Sequence, residues 1–193
     1  MPGMIPDIRQ ELLDSAATIR AAADALAAPL ARAVDVIVAG LRAGGRVFLF
    51  GNGGSAVDAQ HVAGELVGRF LAERKALAAE ALTAAVATIP SVANDYSYDL
   101  IFARQLEGKA RAGDVAVGLS TSGKSRNVVA ALKQARDMGR KTIAFTGRDG
   151  GPCGQLADVL LNVPADLTPR IQEAHVALYH VLCRHVENAF LPH

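Results

Sequence analysis

From Gly44-Gly45 onward the chain alternates short apolar runs with longer segments of helical periodicity, the first two runs closing on glycine or serine. The runs cover residues 47–50, 115–119, 142–145 and 159–163, and each is apolar almost throughout rather than at every second position. That pattern belongs to strands covered on both faces, as in a parallel sheet. Residues 55–70, 99–111 and 125–138 read as the crossover helices, and 171–190 as a long closing helix. A fifth strand is expected near residues 81–86. The resulting fold class is α/β, a doubly wound, mainly parallel five-stranded sheet flanked by helices. In such sheets ligands lie at the carboxyl ends of the strands, so the loops there are the places to look for chemistry.

Ahead of the sheet, residues 8–41 are rich in Ala, Leu, Ile, Val and Arg at helical spacing. Proline is tolerated in a first helical turn and disruptive further in, so Pro29 predicts the start of a second helix. The domain plan is one unit over 1–193, with 1–43 a helical oligomerisation segment and 44–193 the α/β core and closing helix. There are 37 alanines and no tryptophan, which favours closely packed helices over a bulky aromatic core. Twenty Lys and Arg against nineteen Asp and Glu leave a net charge of +1. Such a balance provides no field to recruit nucleic acid or an acidic membrane. The longest uncharged stretch, 81–94, is too short to cross a bilayer and contains Pro90. With no secretory pattern at the start, the expected location is the cytoplasm. Cys153 and Cys183 match neither a disulfide framework nor a zinc ribbon.

Two loops carry the first chemistry. Gly51-Asn52-Gly53-Gly54-Ser55 follows the first strand and opens a helix, and glycine lets backbone approach an anion closely. It lacks the spacing of a dinucleotide fingerprint and the Gly-Lys-Ser/Thr of a P-loop. A plain strand-to-helix turn is the alternative. Ser120-Thr121-Ser122-Gly123-Lys124-Ser125 follows the next strand of the core. Its four hydroxyls ahead of a helix N-terminus form a cradle for a phosphomonoester. A simple N-cap at Ser125 would need one hydroxyl, not four.

His61 and Glu65 stand four apart, on one face of a helix, and both are good ligands for a divalent ion such as zinc. Taken alone, such a pair is common and is usually a solvated hydrogen-bonded couple. Gln172 and His180 lie eight apart on the closing helix, about 12 Å along its axis, and could complete a His₂-Glu-Gln set. His175 and His185 compete for that role, and both read as structural.

These stretches, together with Ala93-Asn94-Asp95-Tyr96, Thr146-Gly147-Arg148-Asp149-Gly150-Gly151 and Arg170-Ile171-Gln172-Glu173-Ala174-His175, resemble the sugar isomerase (SIS) family in its heptose-phosphate branch. The resemblance runs in the family's order over nearly the whole chain. It implies a flavodoxin-like sheet and zinc-dependent aldose–ketose isomerisation of sedoheptulose 7-phosphate through an enediol, feeding nucleotide-activated heptose synthesis. It implies one Zn²⁺ per subunit on His61, Glu65, Gln172 and His180, with Glu65 and His180 as the acid/base pair. Substrate contacts are implied at Asn52, Gly53, Gly54, Ser55, Glu65, Asn94, Asp95, Ser120, Thr121, Ser122, Ser125 and Gln172. A homotetramer is implied, in which N-terminal helices of several copies pack together. The stretch Thr83-Ala84-Ala85-Val86-Ala87-Thr88 departs from the family at Ala85, where a carboxylate is common, and Pro90 departs as well. Two rival readings stand beside this one. One is a non-catalytic SIS protein that binds a replication initiator, and the other an SIS isomerase for another phosphorylated ketose. A sugar-phosphate-sensing regulator would need a DNA-binding domain for which this length and charge leave no room.

Overall fold

The computed structural model describes residues 4–191, so the outer ends of the 1–43 and 44–193 segments lie outside the described residues. Strands β1 (Val47–Gly51), β2 (Ala79–Ala81), β3 (Val115–Ser120), β4 (Lys141–Gly147) and β5 (Val159–Val163) form one sheet in the order β2-β1-β3-β4-β5. Every pairing is parallel. Since side chains alternate along a strand, the two faces separate by residue number. Leu49, Val117, Phe145 and Leu161 face a layer built from α1 (Met4–Arg42), α2 (Gly54–Val67) and α7 (Thr168–Asn188). Phe48, Phe50, Ala116 and Ala144 face the other layer, built from α3 (Thr88–Asp95), α4 (Ala103–Lys109), α5 (Arg126–Asp137) and α6 (Gly151–Leu156). Burial on both faces is why the strand runs are apolar at successive positions. At Gly118 a Cβ would come within 2.9 Å of Val128 and 3.1 Å of Phe50, so glycine there lets α5 close onto β3.

The N-terminal region departs from expectation. Met4–Arg42 is a single helix of 39 residues with Pro29 inside it, not a pair of helices. Proline removes one intrahelical hydrogen bond and crowds the preceding turn. Here the buried stripe Ala22, Leu26, Leu30, Ala33, Ile37 and Gly40 continues across the proline. Tertiary packing on both sides of Pro29 thus holds the helix through it.

Other boundaries shift too. The fifth strand is three residues long and ends at Ala81, and residues 82–84 form a 3₁₀ turn. The crossover expected over 99–111 is a 3₁₀ turn at Tyr98–Leu100 followed by the short α4. Between them, where the periodicity predicts no helix, α3 spans Thr88–Asp95 with Pro90 in its first turn, where proline is tolerated.

The strand order reverses between β1 and β3, and their carboxyl ends release the glycine loop and the hydroxyl loop side by side. This is the switch point of a doubly wound sheet.

Candidate active site

The candidate residues fall into two groups. The first lies at the switch point. Gly53 adopts a left-handed φ of 55° ahead of α2, and Gly54 lies so close to Gln172 that a Cβ there would come within 2.4 Å of its Nε2. Gln172 is thereby seated at the start of α2. Across the switch, Ser120 Oγ donates to Ser125 Oγ at 3.0 Å, and Ser122 Oγ accepts from the Lys124 backbone N–H at 3.1 Å. Ser125 occupies the N-cap position of α5, but its side chain makes no cap hydrogen bond. The capping alternative therefore does not account for that hydroxyl, and the first N–H groups of α5 remain available. Gly123, at φ 65°, packs so tightly on Gly150 that a Cβ would come within 2.1 Å of its carbonyl oxygen. The nearby cations are already matched, Lys124 with Asp149 at 3.3 Å and Arg126 with Asp99 at 2.6 Å. Hydroxyls and backbone amides are left to hold an anion in this loop, where Thr121 is also half-buried.

The two loops are tied together by Asn52 and Asn127, whose amides bond reciprocally. The Tyr98 hydroxyl donates to Asn52 Oδ1 at 3.2 Å and ties in the segment after α3. Asn94 and Asp95, at the end of α3, are exposed and bonded to each other at 2.9 Å, and their side chains make no hydrogen bond to the described residues of the cradle.

The second group sits where α2 and α7 pack in parallel. His61 Nε2 lies 3.1 Å from Glu65 Oε1, and the His180 ring stands 5.1 Å from the His61 ring, centroid to centroid. His61 is 43% and Glu65 23% exposed at the side chain, so the pair is open to solvent from one side. The Tyr179 hydroxyl bridges His61 Nδ1, at 3.1 Å, and Asp58 Oδ1, at 3.3 Å. Burial lifts the Asp58 carboxyl above its ordinary range, against the pull of Tyr179 and His61. Burial likewise raises the Tyr179 phenol, with Asp58 adding to it.

Beneath this cluster, the buried Glu187 carboxylate accepts backbone N–H bonds from Phe70, Leu71 and Ala72 at 2.8–2.9 Å. It faces the Arg74 guanidinium at 3.4 Å. Burial pushes this carboxyl up, but the three amides and Arg74 together outweigh it and hold it below its usual range. Arg74 also donates to the Glu65 carbonyl at 2.8 Å, which fixes the end of α2 under the candidate base.

His175 is fully buried, with Nε2 3.0 Å from the Thr146 carbonyl oxygen, and His185 is exposed on the face that α7 shares with α1. Both cysteines are free and buried, and desolvation pushes each thiol up to about 12.

Among the described residues, no three His, Cys, Asp or Glu side chains gather closely enough to hold a metal ion as they stand. The donor chemistry nevertheless fits one. Imidazole nitrogen and carboxylate oxygen face each other at 3.1 Å with a second imidazole alongside, and such N/O donors suit zinc. Gln172 is not drawn into that group, because its carboxamide rests on Gly54, seven residues up α2 from His61. Asn127, Asp58 and Tyr179 carry no local sequence signal, since each acquires its partner only when separate elements meet.

A doubly wound sheet with hydroxyl and glycine loops at its switch point is an α/β domain that offers a phosphorylated ligand two helix N-termini. The chain matches the SIS domain family over residues 12–147, and it belongs to that family. The phosphoheptose isomerase of Paramagnetospirillum magneticum is 50% identical over 183 residues, which cover 95% of each chain. That of Mycobacterium tuberculosis is 52% identical over 160 residues, 82% of each. Among solved structures, the phosphoheptose isomerase from Neisseria gonorrhoeae superposes with a TM-score of 0.91 at 39% identity, covering 96% of this chain and 99% of its own. The enzyme from Francisella tularensis gives 0.92 at 36% identity, covering 96% and 98%.

Proposed function

We propose that this chain is a phosphoheptose isomerase that interconverts sedoheptulose 7-phosphate and D-glycero-D-manno-heptose 7-phosphate in the cytoplasm, supplying nucleotide-activated heptose synthesis. The observation that carries the chemistry is His61 with Glu65 Oε1 3.1 Å from its Nε2 and the His180 ring 5.1 Å from its own, centroid to centroid. Moving a carbonyl from C2 to C1 requires a base at carbon and a proton carrier between the oxygens. Glu65 takes a proton from C1 of the open-chain ketose and returns it to C2. His180 accepts the proton of the C1 hydroxyl and delivers one to the C2 oxygen, so one C–H and one O–H bond break and one of each forms. The hydroxyl loop from Ser120 to Ser125 holds the distal phosphate, and Asn52 to Ser55 present the amides of the α2 N-terminus. Binding at the non-reacting end aligns the reacting one. His61, Glu65 and His180 would hold zinc, while the Gln172 carboxamide stands apart at Gly54. When bound, zinc supplies Lewis-acid stabilisation of oxyanion charge.

A second feature supports assembly as a homotetramer. Apolar side chains along the free half of α1, among them Ile5, Ile8 and Leu12, are more than half exposed and suit helix packing between copies.

The test is an isomerase assay with sedoheptulose 7-phosphate on protein of known oligomeric state, run with zinc and after chelation. Zinc-dependent heptose 7-phosphate formation is expected. A folded tetramer that takes up zinc and turns nothing over would move the reading to another phosphoketose.

A further inference from the structure

Tyr179 is buried, with 2% of its surface exposed, and its hydroxyl lies between two groups on a different helix. The oxygen is 3.1 Å from His61 Nδ1 and 3.3 Å from Asp58 Oδ1. Asp58 and His61 are three residues apart on α2 and so share a face, and the phenol from α7 spans them. The second carboxylate oxygen, Asp58 Oδ2, is buried without a hydrogen-bond partner. A buried acceptor left unpaired is costly, and one whose other oxygen meets Tyr179 marks a carboxylate retained for that bond.

We propose that Tyr179 is a positioning residue for His61, bridging it to Asp58 so that the imidazole presents Nε2 to Glu65 and to a divalent cation. This inference rests on the zinc reading above for its cation. The direction of the bonds follows from which atoms carry protons. An ionised carboxylate can only accept, so the Tyr179 O–H donates to Asp58. The phenol oxygen then accepts from His61 Nδ1–H, and Nε2 keeps its lone pair. That lone pair faces Glu65 Oε1, so two acceptors oppose each other across 3.1 Å, and a cation between them satisfies both. An outer partner on the second ring nitrogen fixes the orientation of a metal-binding imidazole in just this way.

The experiment compares the wild-type protein with Tyr179→Phe, which removes one oxygen and keeps the ring, and with Asp58→Asn. Zinc affinity of the metal-free proteins is measured by competition with a chromophoric chelator. The ring nitrogen resonances of His61 are recorded without metal, at a pH where the imidazole is neutral. Zinc is expected to bind about tenfold or more weakly to Tyr179→Phe, with a smaller loss in Asp58→Asn and a displaced Nδ1 resonance in both. Zinc affinity within about twofold of wild type together with an unmoved Nδ1 resonance would reduce Tyr179 to a packing residue. If Tyr179→Phe does not fold, Asp58→Asn decides. A wild-type protein that takes up no zinc sinks the metal reading separately, and the Nδ1 resonance then decides the role of Tyr179.

Discussion

Asn52 and Asn127 hold each other by two reciprocal amide hydrogen bonds, each 2.8 Å long, across the gap between the β1–α2 loop and the first turn of α5. Two helix N-termini on opposite faces of the sheet are thereby kept in register, which is what one phosphorylated ligand contacting both loops requires. Asn127 is 2% exposed, so its loss leaves the Asn52 amide without that partner. Asn127→Ala is expected to raise KM for the sugar phosphate about tenfold, with a cost of about 1–3 kcal/mol in stability. Steady-state kinetics and urea unfolding check both.

Glu65 is exposed on one side and anchored through its carbonyl by Arg74, so changing its carboxylate leaves the backbone support intact. Glu65→Gln is expected to lower kcat by roughly 10²–10⁴-fold with no loss of the folded state. A near-normal kcat would remove Glu65 from the role of base.

Ser122 accepts the Lys124 amide hydrogen bond and lies between the hydroxyls of Ser120 and Ser125 in sequence. If it serves the non-reacting phosphate, Ser122→Ala raises KM several-fold, about 1 kcal/mol of binding, and changes kcat little. A fall in kcat at constant KM would instead assign the hydroxyl to the transition state.

His175 makes stability depend on pH. Desolvation lowers its imidazole from 6.5 to about 4, against the raising effect of the Thr146 carbonyl. Between those values the unfolded chain binds the proton and the folded chain does not, so stability falls as pH drops from 6.5 towards 4. The loss is on the order of 3 kcal/mol. Glu187 acts lower on the scale. Its depressed carboxyl contributes stability above the ordinary value of 4.5 that is lost as pH falls further. His175→Gln, which can still donate to Thr146, should flatten the urea midpoint between pH 6.5 and 4.5. An unchanged slope would show that other groups set it.

Much of this was legible in the amino-acid order. Strands buried on both faces leave near-continuous apolar runs, so four of the five were readable at once. The fifth, expected near 81–86, lies instead at Ala79–Ala81, because three residues of alanine and glutamate carry little strand signal and take their place only by pairing with β1. The loops were legible because glycine and serine must lie in sequence where a chain turns closely around an anion. Pro29 misled, because a local rule about proline says nothing of a buried stripe that docks on both sides of it.

By itself the sequence determined which residue types stand at the ends of the strands and which share a helix face, since both follow from periods of two and 3.6 residues. Only the tertiary structure decided who meets whom. Tyr179 reaches Asp58 across 121 positions of chain, and Asn52 reaches Asn127 across 75. Gln172 rests on Gly54 rather than beside His61, because α2 and α7 run parallel and each level of one helix meets its own level of the other. Such pairings depend on how whole elements pack, and no local spacing encodes them.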